Sequence, residues 1–238
     1  ISDRYSSFKD FLLKSFGPSL CSKYFFPYNE KIWNRELDEI PITWLQGKLP
    51  MPDLKSVLLS NIVKNDESSM VHSTFYYPIE GGSQFIVNRL LKGLDIIYNA
   101  NISQISKSGN GFIVDGIIYD NIRYTGDLRS LPSIFNFQAL DIPDVLRQNI
   151  ANLSSNPTSN ALCECEPNPY SWVYFPSKNV RCHRAIMTGN FASSNNGALS
   201  NRAKISCTVE FSKDLPTNAM ISDIKKLPFD MEPIAFNY

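Results

Sequence analysis

One charged side chain falls in a stretch of sequence that otherwise has the pattern of a β-strand. Arg184 lies within residues 181–187, where a charge needs a reason. A guanidinium presents a fixed fork of donors that suits the oxygens of a diphosphate. The alternative is an outward-facing arginine on a half-exposed strand. We therefore take Arg184 as the strongest single candidate for contacting an anionic ligand.

Two aromatic residues precede it at the spacing of a strand face. Trp172 and Tyr174 are two positions apart, so their side chains point to the same side of a predicted strand. The hydroxyl of Tyr174 would donate to a phosphate oxygen, and Trp172 would pack on a ribose or another sugar. Alternating aromatics are also common in sheet cores. A core stripe is therefore the competing interpretation.

Aromatic and polar residues are also concentrated near the N-terminus. Residues 25–33, FFPYNEKIW, contain four aromatics, a proline, an amide and an ion pair, with neither helical nor strand periodicity. Flat rings such as Tyr28 and Trp33 supply stacking area, and Asn29 and Lys31 add directional donors. The run predicts the wall of an aromatic-lined pocket. The alternative is a well-packed turn that orders the start of a helix.

The same residues resemble a known family. Pro-Tyr-Asn-x-Lys-x-Trp at 27–33, followed by WLQGKLPMPDL at 44–54, is similar to UDP-galactopyranose mutases, especially the eukaryotic type, and to related flavin-dependent amine oxidases and protoporphyrinogen-oxidase-like proteins. Further similar segments follow in order: TFYYP-x-x-GG at 74–82, Tyr-Thr-Gly at 124–126 with Asp127 in place of a proline, and WVYFP at 172–176 followed by Arg184. The resemblance covers roughly residues 8–195.

The resemblance implies a substrate site for a nucleotide sugar. It implies that Arg184 clamps the diphosphate, with Tyr174 and Lys48 beside it, and that the remaining substrate-binding positions shape the sugar-nucleotide pocket; these are Asn29, Trp33, Trp172 and His72. Lys48 stands where the family carries Arg, which loses the bidentate fork, and His72 stands where it carries Asn. The nucleophile in the family is reduced FAD, so no residue of this chain is expected to be catalytic.

The sequence lacks the signature that holds FAD in such proteins. Their first strand is followed by G-x-G-x-x-G, where a helix N-terminus binds the pyrophosphate. Here the sole G-x-G is Gly109-Asn110-Gly111, with Val114 where a third glycine is needed, and the flanking residues predict a hairpin turn. We therefore expect an internal piece of a longer flavoprotein, inactive alone, which carries the substrate side and little of the FAD side.

Two functions of other classes stay open. One is an FAD-dependent amine oxidase or protoporphyrinogen-oxidase-like enzyme, which would need an apolar substrate cavity and would leave Arg184 without a diphosphate. The other is a non-catalytic sugar-nucleotide-binding module. Weaker alternatives are a zinc site at Cys163, Cys165, Cys182 and His183 and a glycosidase pair at Glu164 and Glu166. With only two histidines, His72 and His183, a Ser-His-Asp triad is improbable.

Composition excludes several classes of partner. The 23 lysines and arginines equal the 23 aspartates and glutamates in number, so the net charge is zero. The chain therefore lacks the excess of positive charge that is typical of proteins that bind nucleic acids or membrane surfaces. Five cysteines are an odd count in a chain of 238 residues that does not need disulfides, which predicts reduced thiols in a cytoplasmic protein. No membrane span or signal peptide is visible.

The order of periodicities along the chain predicts an α+β fold. Helical spacing predicts helices over 6–22, interrupted at Gly17-Pro18, over 54–63 with Asp53 as N-cap, and after Gly81-Gly82. Short alternating runs fill 95–125, and a further helix is predicted over 143–153. Strands are predicted at 72–77 and, longer and antiparallel, at 161–166, 171–175, 181–187 and 204–211. We expect a mainly helical substrate-binding region over 1–93 and a mainly antiparallel sheet region over 94–238.

Overall fold

The computed structural model describes residues 4–45, 54–63, 74–136, 142–197, 199 and 203–237. The chain divides into two compact units, one formed by Ile1–Leu90 together with Asn156–Tyr238 and the other by Leu91–Ser155. Helices and antiparallel sheets are mixed, which confirms the α+β prediction. In the described part of the chain, no helix is long and apolar enough to cross a membrane.

The first unit begins with a helical subdomain. Helix α1 (Phe8–Leu20) starts at Ser7, whose Oγ accepts from the backbone N–H of Asp10, and it kinks at Gly17, where φ is +77°. A π-helical turn over Cys21–Phe25 leads into α2 (Phe26–Trp33). The buried residues of this subdomain form one core: Phe8, Phe11, Leu12, Cys21, Leu37, Ile40, Ile42 and Leu45.

Residues 25–33 are therefore helical, although their apolar residues do not repeat with helical periodicity. Pro27 lies in the first turn of α2, where its missing N–H costs no hydrogen bond. The helix ends at Asn34 in a left-handed conformation, with φ of +51°. Aromatic rings surround the helix on several sides, so no single apolar stripe marks it in the sequence.

Two further helices match their predicted positions. Helix α3 is Leu54–Val63 and α4 is Gln84–Leu90; the cap predicted at Asp53 lies outside the described residues. The strand predicted over 72–77 is wrong for its described part, since 74–77 form no strand. The aromatic residues there pack against other rings instead: Phe75 contacts Trp172 and Phe191 at centroid distances of 5.2 and 5.0 Å.

The second unit contains a three-stranded antiparallel meander. Its strands are β1 (Ile105–Ser108), β2 (Gly111–Val114) and β3 (Ile117–Tyr119), followed by the short α5 (Leu131–Ile134) and by α6 (Asp144–Ala151). Ser108 pairs with Gly111, so Gly109 and Asn110 form the predicted hairpin turn. Asp115 and Gly116 form the next turn with φ of +48° and +82°, the type I′ geometry of two-residue hairpins.

The first unit is completed by a five-stranded antiparallel sheet. The strands are β4 (Ser159–Cys165), β5 (Trp172–Tyr174), β6 (Cys182–Ile186), β7 (Ile205–Phe211) and, after α7 (Thr217–Ile224), β8 (Met231–Asn237), in the order β5-β6-β7-β4-β8. The first four confirm the predicted strands. Sequence reasoning missed β8, because Pro233 argues against a strand; β8 is an edge strand, where proline is tolerated.

Candidate functional site

An ion pair between two neighbouring strands forms the centre of the site. Arg184 on β6 lies directly opposite Glu210 on β7 and, on its other side, opposite Tyr174 on β5. The guanidinium Nε donates to a carboxylate oxygen of Glu210. The side chains of Arg184 and Glu210 are 37% and 17% exposed. Because directly opposite residues share a sheet face, the fold brings Arg184 and Tyr174 side by side.

The surroundings keep both partners ionised. Burial alone would raise the pKa of Glu210, but the hydrogen bonds from His183 and Arg184 outweigh burial and hold that pKa below its usual value. Burial likewise opposes the charge on Arg184, yet its pKa is raised because of the bond to Glu210. Glu210 is the sole acceptor for this guanidinium among the described residues, which leaves the two terminal nitrogens of the fork for another anion.

Two tyrosine rings lie near this pair, Tyr28 on α2 and Tyr24 in the π-helical turn before it. The ring of Tyr28 packs edge-on against Tyr174 at 5.5 Å and is stacked with Tyr24 at 5.3 Å. Burial raises the pKa of Tyr28, and the neighbouring Tyr24 and Tyr174 add to the effect. Its hydroxyl therefore stays protonated and is a donor throughout the physiological pH range.

A histidine reaches the same carboxylate because β6 carries a bulge. The register of β6 against β7 shifts between Cys182 and Arg184, so His183 is the extra residue. In a regular strand His183 and Arg184 would point to opposite faces. Here His183 Nε2 lies 3.5 Å from the Glu210 oxygen that Arg184 contacts, and its Nδ1 lies 3.1 Å from Ser212 Oγ.

One lysine fastens helix α2 to the hairpin that carries the ion pair. Lys31 Nζ donates to the carbonyl oxygens of Phe175, Ser177 and Cys182 at 2.5, 2.7 and 3.0 Å. These carbonyls flank the ends of β5 and β6. Burial lowers the pKa of Lys31. Lys31 therefore sets the distance between Tyr28 on the helix and Arg184 on the sheet.

A second anchor holds the start of β6. The carboxylate of Asp223 on α7 is buried and accepts from the backbone N–H and Nε of Arg181 at 2.7 and 2.8 Å, and from Lys226 Nζ at 3.2 Å. Arg181 is therefore a structural residue of the fold.

Three of the other predicted site residues lie in the described part of the chain, and each has packing or hydrogen-bond partners of its own. Trp172 packs against Phe75 and Phe191, and Trp33 packs on Trp44 at 5.1 Å beside the helical core. The amide of Asn29 donates to the Phe25 carbonyl of its own helical segment at 2.8 Å. Lys48 and His72 lie outside the described residues.

Sequence reasoning missed Glu210, His183 and the positioning role of Lys31. Glu210 had a usable signal, because it is the single charge in the strand ISCTVEF. His183 had none, since its orientation depends on the bulge. Lys31 was noted as a donor, but its acceptors come from backbone 144 to 151 residues later in the chain.

In the part of the chain that the structure describes, the residues do not fit an FAD pyrophosphate or a metal ion. Gly109-Asn110-Gly111 joins two strands of a meander and opens no helix, whereas a dinucleotide site needs a strand-to-helix turn. Across the described ranges, no group of three or more His, Cys, Asp or Glu side chains is arranged to hold a metal ion.

The comparison with solved structures agrees with this architecture. The crystal structure of reduced UDP-galactopyranose mutase matches with a TM-score of 0.74 and 16% identity, over 98% of this chain and 55% of that one. An oxidoreductase from Methanosarcina mazei matches more distantly, with a TM-score of 0.40 and 14% identity over 57% of this chain and 36% of the other. No protein-family profile and no curated protein sequence matches. The chain spans about half the length of the mutase structure, and over nearly all of its own length it has the fold of UDP-galactopyranose mutase, as its motifs predicted.

Proposed function

We propose that this chain is the substrate-binding portion of a flavoprotein related to UDP-galactopyranose mutase and that it binds a nucleotide sugar by its diphosphate. The observation that carries the proposal is the half-buried guanidinium of Arg184. Glu210 fixes its Nε, and no other acceptor among the described residues binds the two terminal nitrogens, which we propose bind the ligand. A planar fork held in this way matches two oxygens of a diphosphate.

The neighbouring side chains suit the same ligand. Tyr174 is 44% exposed beside Arg184, and Tyr28 lies against it with a protonated hydroxyl. Each hydrogen bond to a charged phosphate oxygen is worth about 1.5–3 kcal/mol. Trp172, Asn29, Trp33, Lys48 and His72 complete the proposed pocket on the strength of the resemblance, with Lys48 as a second cation.

The proposal includes a larger parent protein. Helix α4 is apolar on several sides yet exposed, with Ile86 at 54% and Leu90 at 71%, and a helix that is apolar all round is normally buried. An FAD-binding remainder of the parent would cover it. In this proposal the parent interconverts UDP-galactopyranose and UDP-galactofuranose with reduced FAD, and the chain alone is inactive.

The cysteines support a reducing, cytoplasmic location for that protein. All five are free and buried: Cys21, Cys163, Cys165, Cys182 and Cys207. Cys163 and Cys207 are directly opposite each other on β4 and β7 and are nevertheless unpaired. An oxidising compartment would favour a disulfide between such neighbours.

The proposal is tested by calorimetric titration of the chain with UDP-galactose. We expect binding that weakens about 10- to 100-fold in Arg184→Ala, which corresponds to the loss of about 1.5–3 kcal/mol, and that Arg184→Lys restores only in part because lysine lacks the fork. Lys107→Ala removes an equal charge from an exposed position on β1 and serves as the control.

Absence of binding, or equal binding by the Arg184→Ala variant, would overturn the proposal. For the parent protein, conversion of UDP-galactofuranose by the reduced enzyme supports the mutase activity. Oxygen-dependent oxidation of an amine or a porphyrinogen, with no conversion, would move the function to the oxidases. Binding without turnover by the complete parent would identify a non-catalytic module.

A further inference from the structure

The carboxylate of Glu210 contacts two basic side chains, Arg184 and His183. Arg184 is permanently charged, whereas a histidine exchanges its proton near neutral pH. Both contact the same oxygen, and the bulge at His183 makes that convergence possible. Without the bulge, a histidine at this position would face the opposite side of the sheet. The arrangement joins a ligand-facing group to a buried titratable group through one carboxylate.

We propose that binding of a diphosphate at Arg184 is coupled to the uptake of a proton by His183, with Glu210 as the positioning residue that links them. This inference rests on the proposed function of Arg184. In the ligand-free protein, the single charge of Glu210 is balanced by Arg184. A diphosphate on the terminal nitrogens of Arg184 adds negative charge beside Glu210, and the group within 3.5 Å that can compensate is His183.

The surroundings of His183 accommodate both of its protonation states. Its side chain is only 9% exposed, so a cationic form needs an anionic partner, which Glu210 provides. Ser212 Oγ lies 3.1 Å from Nδ1. A hydroxyl donates to a neutral ring nitrogen and accepts from a protonated one. Neither state therefore leaves a buried nitrogen without a partner.

The other charged and titratable groups around this strand are held by their own contacts. Tyr28 from α2 and Tyr174 from β5 lie against Arg184 and Glu210. Lys31 from α2 is bound to the carbonyl beside His183, and Asp223 from α7 is occupied by Arg181 and Lys226. Histidine is the side-chain type among them that can take up a proton in response to added negative charge.

The sign of the effect follows from this coupling. A ligand that adds negative charge favours the protonated imidazole, so the complex holds more protons than the free protein. Binding therefore tightens as the pH falls from about 8 to about 6, by up to about tenfold. Without the coupling, the affinity of Arg184 for a ligand that does not titrate would be constant over this range.

The test is calorimetric titration of the chain with UDP-galactose in buffers of different ionisation enthalpy. UDP-galactose is chosen because its diphosphate is esterified at both ends, whereas a terminal phosphate titrates near pH ~6 and would itself exchange protons. We expect net proton uptake by the unmodified chain and none by His183→Asn. Glu210→Gln should also lose the pH dependence, a result that a purely structural role for Glu210 would not produce.

His72→Asn distinguishes the two histidines of the chain. Uptake that disappears in this variant and persists in His183→Asn overturns the assignment, as does binding of UDP-galactose without any proton uptake. Absence of binding by the unmodified chain would instead remove the proposed function, and this inference with it. Binding without proton uptake therefore contradicts only the coupling, whereas absence of binding contradicts the proposed site.

Discussion

Lys31 on α2 and Phe175, which follows β5, are joined by a hydrogen bond of 2.5 Å from the ammonium to the backbone carbonyl. This bond ties a helix that carries Tyr28 to the strand that carries Tyr174. The same ammonium also binds two further carbonyls of the hairpin. The Lys31 bonds, together with an ion pair of 2.8 Å between Glu30 on α2 and Lys178 in the hairpin, hold the aromatic and ionic parts of the candidate site together.

Replacing that side chain should loosen the hairpin. Lys31→Met keeps the length of the side chain and removes its three donors, so we expect unfolding in urea at a stability lower by about 1–3 kcal/mol. UDP-galactose binding should weaken as well. Lys23→Met, at an exposed position of the adjoining π-helical turn, is the matched control and should stay within about 0.5 kcal/mol. Equal stability of the two variants would contradict this role for Lys31.

Asp223 should contribute stability that disappears in acid. Burial raises its pKa, but the bonds from Arg181 and Lys226 outweigh burial and hold the pKa below its ordinary value of 3.8. A carboxyl with a depressed pKa in the folded state stabilises the protein above its ordinary value, and this contribution is lost as the pH falls through the folded value. We expect Asp223→Asn to lower the free energy of unfolding by about 3 kcal/mol at neutral pH.

The same variant should flatten the loss of stability below about pH 4. Asp144→Asn removes a carboxylate that is 81% exposed and paired with Arg147, so it should change little. Free energies of unfolding measured between about pH 2 and pH 7 check both statements. An acid slope that is equal in Asp223→Asn and the unmodified chain would exclude Asp223 as its source.

The five cysteines should be inert in the native protein. Cys163, Cys182 and Cys207 have no exposed surface, and burial raises the pKa of Cys182 to about 12. Only thiolates react with iodoacetamide, so we expect no labelling near pH ~8 without denaturant and five labelled positions in urea. Mass spectrometry counts the adducts. Rapid native labelling at any one cysteine would show that its part of the core opens readily.

The apolar surface of α4 should promote self-association of the isolated chain. Ile86 and Leu90 are among its most exposed side chains, and exposed apolar patches mark interaction sites. We expect Leu90→Glu to reduce the apparent mass in sedimentation velocity without loss of stability. Asn88→Asp adds the same charge to the same helix while keeping the acceptor for Gln84, and it should leave association unchanged. Monomeric unmodified chain at all concentrations would contradict the expectation.

The sequence predicted elements with local signals and missed those that depend on distant partners. The Gly109-Asn110 turn and the helix Asp144–Ala151 follow from turn chemistry and periodicity, and both are present. The strand β8 contains Pro233, which local preference places outside sheets, and pairing with β4 overrides that preference. Residues 231–237 therefore form a strand because of their pairing with β4 and not because of their local sequence.

In the candidate site, too, the sequence predicted the residues that have local signals and missed those whose position depends on distant parts of the chain. Arg184 and Tyr174 could be placed together because they belong to one predicted strand pair. Glu210 lies 26 residues from Arg184, and its pairing depends on the register of β7, which the sequence alone does not specify. The ring of Trp33, which the sequence placed in the wall of a pocket, packs on Trp44 beside the helical core, and this contact could not be read from the sequence. Register and packing were the missing information.

The first unit is formed by two segments that are separated in the chain by the second unit, and this order has a consequence for its synthesis. Its helical subdomain contains the early residues 8–45, whereas its central strand β7 is Ile205–Phe211. A ribosome releases the chain from its N-terminus, so Lys31 emerges long before the Phe175 carbonyl that it binds. Until then the aromatic face of α2 has no sheet to cover it. Lys31 and Phe175 are 144 positions apart in the chain, and during the synthesis of the residues between them the aromatic surface of α2 is accessible to chaperones.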